Sequence, residues 1–151
     1  MKEFLIFSIL ALVSTFAYSQ CDREQDSLTL VAIHTSLGGD DWRIPWDLTA
    51  PFSTWSGVTT SAAGCVTILD LDGNPDGAAS TVGGNLLFGS IPPEIGDFSF
   101  LRHLYINGDR VQGSMPDEIT QLTSLRTLYI TDTELSGDCL LYTSPSPRDR
   151  G

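Results

Sequence analysis

Side chains with oxygen ligands alternate along one short segment of the chain, at Asp72, Asn74 and Asp76, and Gly77 follows them directly. This spacing matches the first half of a calcium-binding loop, in which alternate carboxylate and amide oxygens bind the cation and a glycine allows a tight turn. The twelfth position counted from Asp72 is Gly83, where such a loop carries a bidentate glutamate. The sequence therefore leaves two hypotheses, a calcium site at Asp72, Asn74 and Asp76 or a turn-rich insertion without metal. No other cofactor is expected.

Patterns that would support catalysis are weak throughout the sequence. The two histidines, His34 and His103, stand neither in a metal-binding spacing nor in an order with Ser and Asp that indicates a nucleophile. A pair of acids could resemble a glycosidase, but the chain has 19 Asp and Glu residues, so such pairs arise from composition alone. We therefore expect no enzymatic activity in this segment.

The charge balance restricts the classes of partner. The chain carries 8 Lys and Arg residues against 19 Asp and Glu residues, and its formal net charge is −11 at pH 7. Such an acidic chain repels phosphate backbones, so nucleic acid is not an expected partner. Cations, basic proteins and neutral glycans remain open. The length of 151 residues fits one domain with a modest core.

The first 19 residues have the pattern of a secretory signal peptide. Lys2 supplies a positive charge, and a mostly apolar run follows from Phe4 to Val13. This run is too short to cross a bilayer, and Ser19 ends a small-residue segment of the kind that signal peptidase cleaves. The sequence therefore predicts a secreted or cell-surface protein, with residues 1–19 removed.

The last residues of the chain have an unusual composition. Residues 139–151 resemble one translated reading frame of a sequencing-library adapter, and a natural Ser/Pro-rich tail is the alternative. On the first interpretation the natural sequence reaches only about Asp138, and residues 139–151 take no part in the fold.

Two cysteines precede that segment, Cys21 and Cys65. In a secreted chain two cysteines can pair within the molecule in only one way. Free or intermolecular thiols are the alternative.

The middle of the chain repeats itself at a fixed interval. The segment Leu101-Arg-His-Leu-Tyr-Ile recurs 24 residues later as Leu125-Arg-Thr-Leu-Tyr-Ile. An earlier copy opens at Val66 and carries an insertion near residues 74–84. An interval of roughly 20 to 29 residues with leucines at these spacings indicates repeats that stack and share one core.

Alternate residues of each copy are expected to face opposite sides of a strand. Leu104 and Ile106 would point inward, while Tyr105 would point outward. Stacked copies place their outward residues in columns. The columns are Thr67/Arg102/Arg126, Ile68/His103/Thr127, Asp70/Tyr105/Tyr129 and Asp72/Asn107/Thr131.

The segment after each strand carries a second pattern. It reads Gly89-x-Ile91-Pro92-x-x-Ile95-Gly96 in one copy and Gly113-x-Met115-Pro116-x-x-Ile119 in the next. These motifs resemble the plant-type subclass of leucine-rich repeats. Residues 20–65, with a helix-like pattern and Trp42, Trp46 and Trp55, resemble the N-terminal cap of that subclass, which includes secreted bacterial members. We expect the three tryptophans to lie in the core.

The resemblance implies an α/β fold. It would be a leucine-rich-repeat solenoid with parallel strands on its concave face and a helical N-terminal cap. Residues 66–138 would hold about two and a half copies, so the solenoid would be truncated at its C-terminus.

The strand face is the usual binding surface of repeat proteins of this shape. The expected ligand is a protein or a carbohydrate, and the candidate contacts are Arg102, His103, Tyr105, Asn107, Arg126, Thr127, Tyr129 and Thr131. Tyrosines also pair well on any sheet surface, which is the alternative explanation for that column. A second possibility is that the chain is the N-terminal part of a larger receptor, adhesin or enzyme whose effector region is missing.

Overall fold

The computed structural model describes residues 21–72, 85–108 and 110–136. The expected signal peptide, the expected insertion near residues 74–84 and the adapter-like segment lie outside these ranges. Within them, no helix is both long and apolar enough to cross a membrane.

The helix α1 spans Arg23–Ser36. Asp22 caps its first turn, because the Oδ1 atom accepts hydrogen bonds from the backbone N–H groups of Glu24 at 3.0 Å and Gln25 at 3.1 Å. Residues spaced three and four apart form its buried face, namely Asp26, Thr29, Leu30, Ile33 and His34. The helix expected from the sequence is therefore present, and one side of it faces the core.

A disulfide and a group of aromatic rings hold the segment that follows α1. Cys21 is bonded to Cys65, with Cα atoms 5.5 Å apart, which confirms the intramolecular pairing. Trp42, Trp46 and Trp55 are buried, as expected. Trp46 stacks on Trp55 with ring centroids 4.8 Å apart, and Trp42 meets Trp46 edge-on at 4.9 Å. Each indole N–H donates to a backbone carbonyl at 2.8 Å, so these rings are buried without losing a hydrogen bond.

Seven short strands follow one another along the described residues. They are β1 (Val58–Thr60), β2 (Val66–Asp70), β3 (Phe88–Gly89), β4 (His103–Asn107), β5 (Arg110–Gly113), β6 (Thr127–Thr131) and β7 (Glu134–Leu135). One sheet has the order β1-β2-β4-β6, and a second has the order β3-β5-β7. Strands of successive copies pair in parallel in both sheets, as the repeat predicts.

The register between the copies is the one that the 24-residue interval requires. Leu104 lies opposite Leu128 and Tyr105 opposite Tyr129. The interrupted first copy keeps the same alignment, since Asp70 lies opposite Tyr105.

The core lies between the larger sheet and two 3-10 helices. Leu69, Leu104 and Ile106 point inward from their strands and are buried. The opposite side is closed by the segments around Pro93–Asp97 and Asp117–Gln121. Their buried apolar residues are Ile91, Ile95, Phe98, Ile119 and Leu122, and Met115 packs against them. The stacked copies therefore share one core, as the spacing predicts.

Two features differ from expectation. Strands β4 and β6 begin two residues later than the leucine pattern indicates, because Leu101 and Leu125 precede the ladder and the N–H of Leu125 bonds in a turn to the carbonyl of Leu122. Strand β1 runs antiparallel to β2, and it does not belong to the repeat pattern. The side chain of Leu128 is 44% exposed, because β6 has only one neighbouring strand among the described residues.

Candidate functional site

The outward side of β2, β4 and β6 forms one continuous surface, called here the strand face. It is defined by Ile68, Asp70, Arg102, His103, Tyr105, Asn107, Arg126, Thr127, Tyr129 and Thr131, with Asp72 just beyond β2. Two of the expected columns follow directly from the strand register, Ile68/His103/Thr127 and Asp70/Tyr105/Tyr129. The register also pairs Asn107 with Thr131, whereas Asp72, the third member expected in that column, lies beyond the paired part of β2. All eight candidate ligand contacts therefore come from two adjacent strands and the residues just before them.

Aromatic rings occupy the centre of the strand face. Tyr105 and Tyr129 have ring centroids 6.3 Å apart with planes tilted by 51°. His103 lies parallel to Tyr105, with an interplanar angle of 6° and centroids 6.4 Å apart. The Nδ1 atom of His103 is 3.0 Å from the Oγ1 atom of Thr127, a hydrogen bond that fixes the imidazole across the two strands. Since Tyr129 is 54% exposed, the group offers flat apolar area to a ligand.

A pair of carboxyl groups lies beside the tyrosines, at the end of β2. The Oδ1 atom of Asp70 accepts a hydrogen bond from the backbone N–H of Asp72 at 3.1 Å. The pKa of Asp70 is raised to about 6, chiefly by burial and also by the neighbouring carboxyl group of Asp72, against the lowering effect of that backbone hydrogen bond. A positive group placed here would relieve the repulsion between the two acids.

Two arginines lie at the opposite end of the strand face, where β4 and β6 begin. The backbone N–H of Arg126 donates to the carbonyl of Arg102, and the N–H of Arg102 donates to the carbonyl of Thr67, both at 2.8 Å. These bonds confirm the expected column of Thr67, Arg102 and Arg126. Both arginine side chains are exposed. They can donate to a carboxylate or another planar anion through their guanidinium groups.

Several solved structures of other proteins match this chain. The ectodomain of the Arabidopsis thaliana receptor kinase GASSHO1/SCHENGEN3, solved in complex with CASPARIAN STRIP INTEGRITY FACTOR 2, matches 73% of the chain at 26% identity and a TM-score of 0.57. The fold of the present chain is therefore similar to that of leucine-rich-repeat ectodomains. A plant ice-binding protein matches 78% at 25% identity and a TM-score of 0.62, and the ectodomain of the Arabidopsis thaliana receptor kinase SOBIR1 matches 75% at 23% and 0.54.

The chain spans only part of the length of each of these proteins. The matched part covers 12% of the GASSHO1/SCHENGEN3 chain, 35% of the ice-binding protein and 56% of the SOBIR1 ectodomain. No protein-family model and no curated protein matches the chain. The likeness therefore concerns the leucine-rich-repeat architecture of plant ectodomains.

The calcium hypothesis involves Asp72, Asn74 and Asp76. Asp72 is described, whereas Asn74 and Asp76 lie outside the described residues. Within the described ranges, no group of three or more His, Cys, Asp or Glu side chains is placed to hold a metal ion. A thermal melt with calcium and with a chelator tests the hypothesis, since binding to the folded state raises the melting temperature.

The sequence analysis did not single out Asp26, whose buried carboxylate contacts the first residue of β2. Asp26 on α1 is buried, and its Oδ2 atom accepts a hydrogen bond from the backbone N–H of Val66 at 2.8 Å, where β2 begins. Burial raises its pKa, and the hydrogen bond from Val66 acts in the opposite direction. The signal was in the sequence, because Asp26 is in phase with Leu30, Ile33 and Leu37 on the apolar side of the helix.

Proposed function

We propose that this chain is an extracellular ligand-binding module of the leucine-rich-repeat type, and that it captures a segment of a partner protein on its strand face. The observation that carries the proposal is the pair Tyr105 and Tyr129, in register on neighbouring strands and aligned with Asp70. Exposed tyrosines bordered by charged side chains are typical of binding surfaces, because they combine apolar area with hydrogen-bonding groups.

Stabilisation of the sheet explains the tyrosines of the Asp70/Tyr105/Tyr129 column less fully than ligand binding does. Cross-strand aromatic pairs stabilise a sheet when their rings cover one another. Here Tyr129 remains 54% exposed, and the neighbouring Leu128 is 44% exposed. That apolar area is available to a ligand, and its burial would contribute roughly 25 cal/mol per Å².

The comparison with plant ectodomains supports a protein ligand over a carbohydrate. The GASSHO1/SCHENGEN3 ectodomain was solved in complex with CASPARIAN STRIP INTEGRITY FACTOR 2. We propose that the present chain also binds a protein ligand. We propose further that it has no catalytic activity and that nucleic acid is not a partner. A carbohydrate ligand is the competing outcome of the binding experiment.

An extracellular location accords with two features. Cys21 and Cys65 form a disulfide, and disulfides persist mainly in oxidising compartments. Residues 1–19 have the pattern of a cleaved signal peptide. We therefore place the module outside the cell, secreted or at the cell surface.

A second proposal concerns the protein to which this module belongs. The chain spans 12% of the length of the GASSHO1/SCHENGEN3 chain that it matches. A module of this size fits the N-terminal part of a longer receptor, adhesin or enzyme. The transcript or genomic sequence beyond the codon for Asp138 tests that proposal directly.

The binding proposal is tested by selection from a phage-displayed random peptide library. We expect the purified chain to enrich peptides that lose at least tenfold in affinity when Tyr105→Ala and Tyr129→Ala are combined, because the central apolar anchors are removed. Leu28→Ala is the control, since Leu28 is 59% exposed on α1, an element outside the strand face. Failure to enrich any peptide, or equal affinity of the double alanine variant, would contradict the proposal. A glycan array run in parallel reports the carbohydrate alternative.

A further inference from the structure

The strand face separates its charges. Asp70 and Asp72 lie where β2 ends, whereas Arg102 and Arg126 lie where β4 and β6 begin. Strand β6 is two strands away from β2, and Arg126 precedes the register partner of Asp70 by three residues. With strands about 4.8 Å apart and a rise of about 3.3 Å per residue, the Cα atoms of Asp70 and Arg126 are roughly 14 Å apart.

These opposite charges are too far apart to neutralise one another. Screening at physiological ionic strength acts over about 8 Å, which is shorter than this separation. Within the described ranges, neither Arg102 nor Arg126 has a carboxylate oxygen within 4.0 Å of its guanidinium group. Their register places two positive side chains side by side on neighbouring strands, where like charges repel. The strand face is therefore electrically polar, with Tyr105 and Tyr129 between its two ends.

We propose that the strand face binds and orients an extended peptide that carries a cationic side chain over Asp70 and Asp72 and a carboxylate over Arg102 and Arg126. An aromatic or apolar residue of the peptide packs on Tyr105 and Tyr129. The inference rests on the proposed function and specifies the ligand of the same face. Docking in the opposite sense places like charges together at both ends, so the charges select the orientation as well as the ligand.

The dimensions fix the spacing within such a ligand. An extended chain advances by roughly 3.3–3.6 Å per residue, so a cation and an anion four residues apart span the distance between the two ends. The net charge of −11 increases the encounter rate of cationic segments in general. The two arginines distinguish a segment with both charges from a merely basic one.

The test uses three short synthetic peptides and NMR titration of the purified chain. The first is acetyl-Lys-Gly-Phe-Gly-Glu-amide; the second replaces its lysine by norleucine, and the third replaces its glutamate by glutamine. The protein variants are Asp70→Asn and the pair Arg102→Gln with Arg126→Gln. Glu94→Gln is the control, since that side chain is exposed and lies on the 3-10 helix Pro93–Asp97, outside the strand face.

We expect Asp70→Asn to weaken the first peptide by roughly two- to fivefold and to leave the norleucine peptide unchanged. The arginine variant should weaken the first peptide by a similar factor and leave the glutamine peptide unchanged. Equal losses for charged and neutral peptides overturn the inference, as does the absence of chemical-shift changes up to about 10 mM peptide.

The outcome separates this inference from the function on which it rests. If library peptides depend on Tyr105 and Tyr129 while the charge variants show no coupling, the strand face is a binding surface without charge-directed orientation. If library peptides ignore both tyrosines, the proposed function fails, whatever the charged peptides do.

Discussion

The carboxylate of Asp26 accepts a hydrogen bond from the backbone N–H of Val66 at 2.8 Å, across 40 positions of the chain. Both residues are buried. The bond joins α1 to the first residue of β2, the strand from which the repeat register starts. The alignment of the strand face therefore depends on a polar contact beneath it.

Removing this acceptor should be costly. We expect Asp26→Ala to lower the free energy of unfolding by about 1–3 kcal/mol, because the buried N–H of Val66 is left without a partner. Asp26→Asn keeps an oxygen acceptor and should lose clearly less. Urea denaturation of both variants measures the difference. Equal stability of the alanine variant and the parent chain would show that the contact contributes nothing.

The carboxyl group of Asp70, at the end of β2, should make the free energy of unfolding decrease as the pH rises. The folded state holds the pKa of Asp70 at about 6, above its ordinary value of 3.8, so folding favours the protonated form. The stabilising contribution of that proton is complete below about pH 3.8 and is lost as the pH rises through about 6. We expect Asp70→Asn to flatten the pH dependence between these values and to be more stable than the parent chain at pH 7.5, by up to about 1 kcal/mol after solvent screening.

Thermal melts from pH 4 to pH 8 provide this measurement. Glu94→Gln serves as the control, since this side chain is exposed on the 3-10 helix Pro93–Asp97 and lies away from the end of β2. A pH profile of Asp70→Asn that stays parallel to the parent would contradict the assignment.

The sequence predicted the repeating part of the structure well. The 24-residue interval is enough to place Tyr105 opposite Tyr129, since a fixed interval with one buried face leaves a single parallel register. The columns of the strand face follow from the same argument.

Contacts that occur only once were harder to predict. Strand β1 is a single antiparallel addition with no counterpart in the copies, although Val58-Thr-Thr followed by a glycine-containing turn at Gly64 is typical of a hairpin. The contact between Asp26 and Val66 joins distant parts of the chain, so only the phase of Asp26 in its helix indicated that it would be buried.

The hairpin of β1 and β2 depends on a glycine with a left-handed backbone. Gly57 has φ +80°, and a Cβ atom there would overlap the backbone oxygen of Asp70. The N–H of Asp70 also donates to the carbonyl of Gly57 at 2.8 Å. We expect Gly57→Ala to lower the free energy of unfolding by at least about 3 kcal/mol, because strain and overlap add.

Gly113→Ala is the matched control. Its φ is +91°, but its added Cβ would meet only the Cβ of Ser90 at 3.5 Å, an ordinary contact. This variant should lose only the conformational term of about 1–2 kcal/mol. Equal losses for the two glycine variants, measured by urea denaturation, would show that the overlap with Asp70 is relieved without cost.

The disulfide should contribute more than any single hydrogen bond. Cys21 and Cys65 enclose a loop with a sequence separation of 44. In the chain-entropy description, replacing both by alanine lowers the free energy of unfolding by about 4 kcal/mol. Melting the parent chain with and without a reducing agent checks the result independently. A melting temperature that reduction does not change would rule out this contribution.

The antiparallel β1 has a consequence for how such a surface can change in evolution. It pairs with β2 on the side away from β4, so that side of the array no longer accepts a parallel neighbour in the repeat register. Copies of 24 residues can therefore be gained or lost only on the side of β2 that carries β4 and β6. Each gain would widen the strand face by about 4.8 Å. Asp70 and Asp72 would stay at the β1 side of the strand face, while the width of the strand face measured from them would change by one strand spacing at a time.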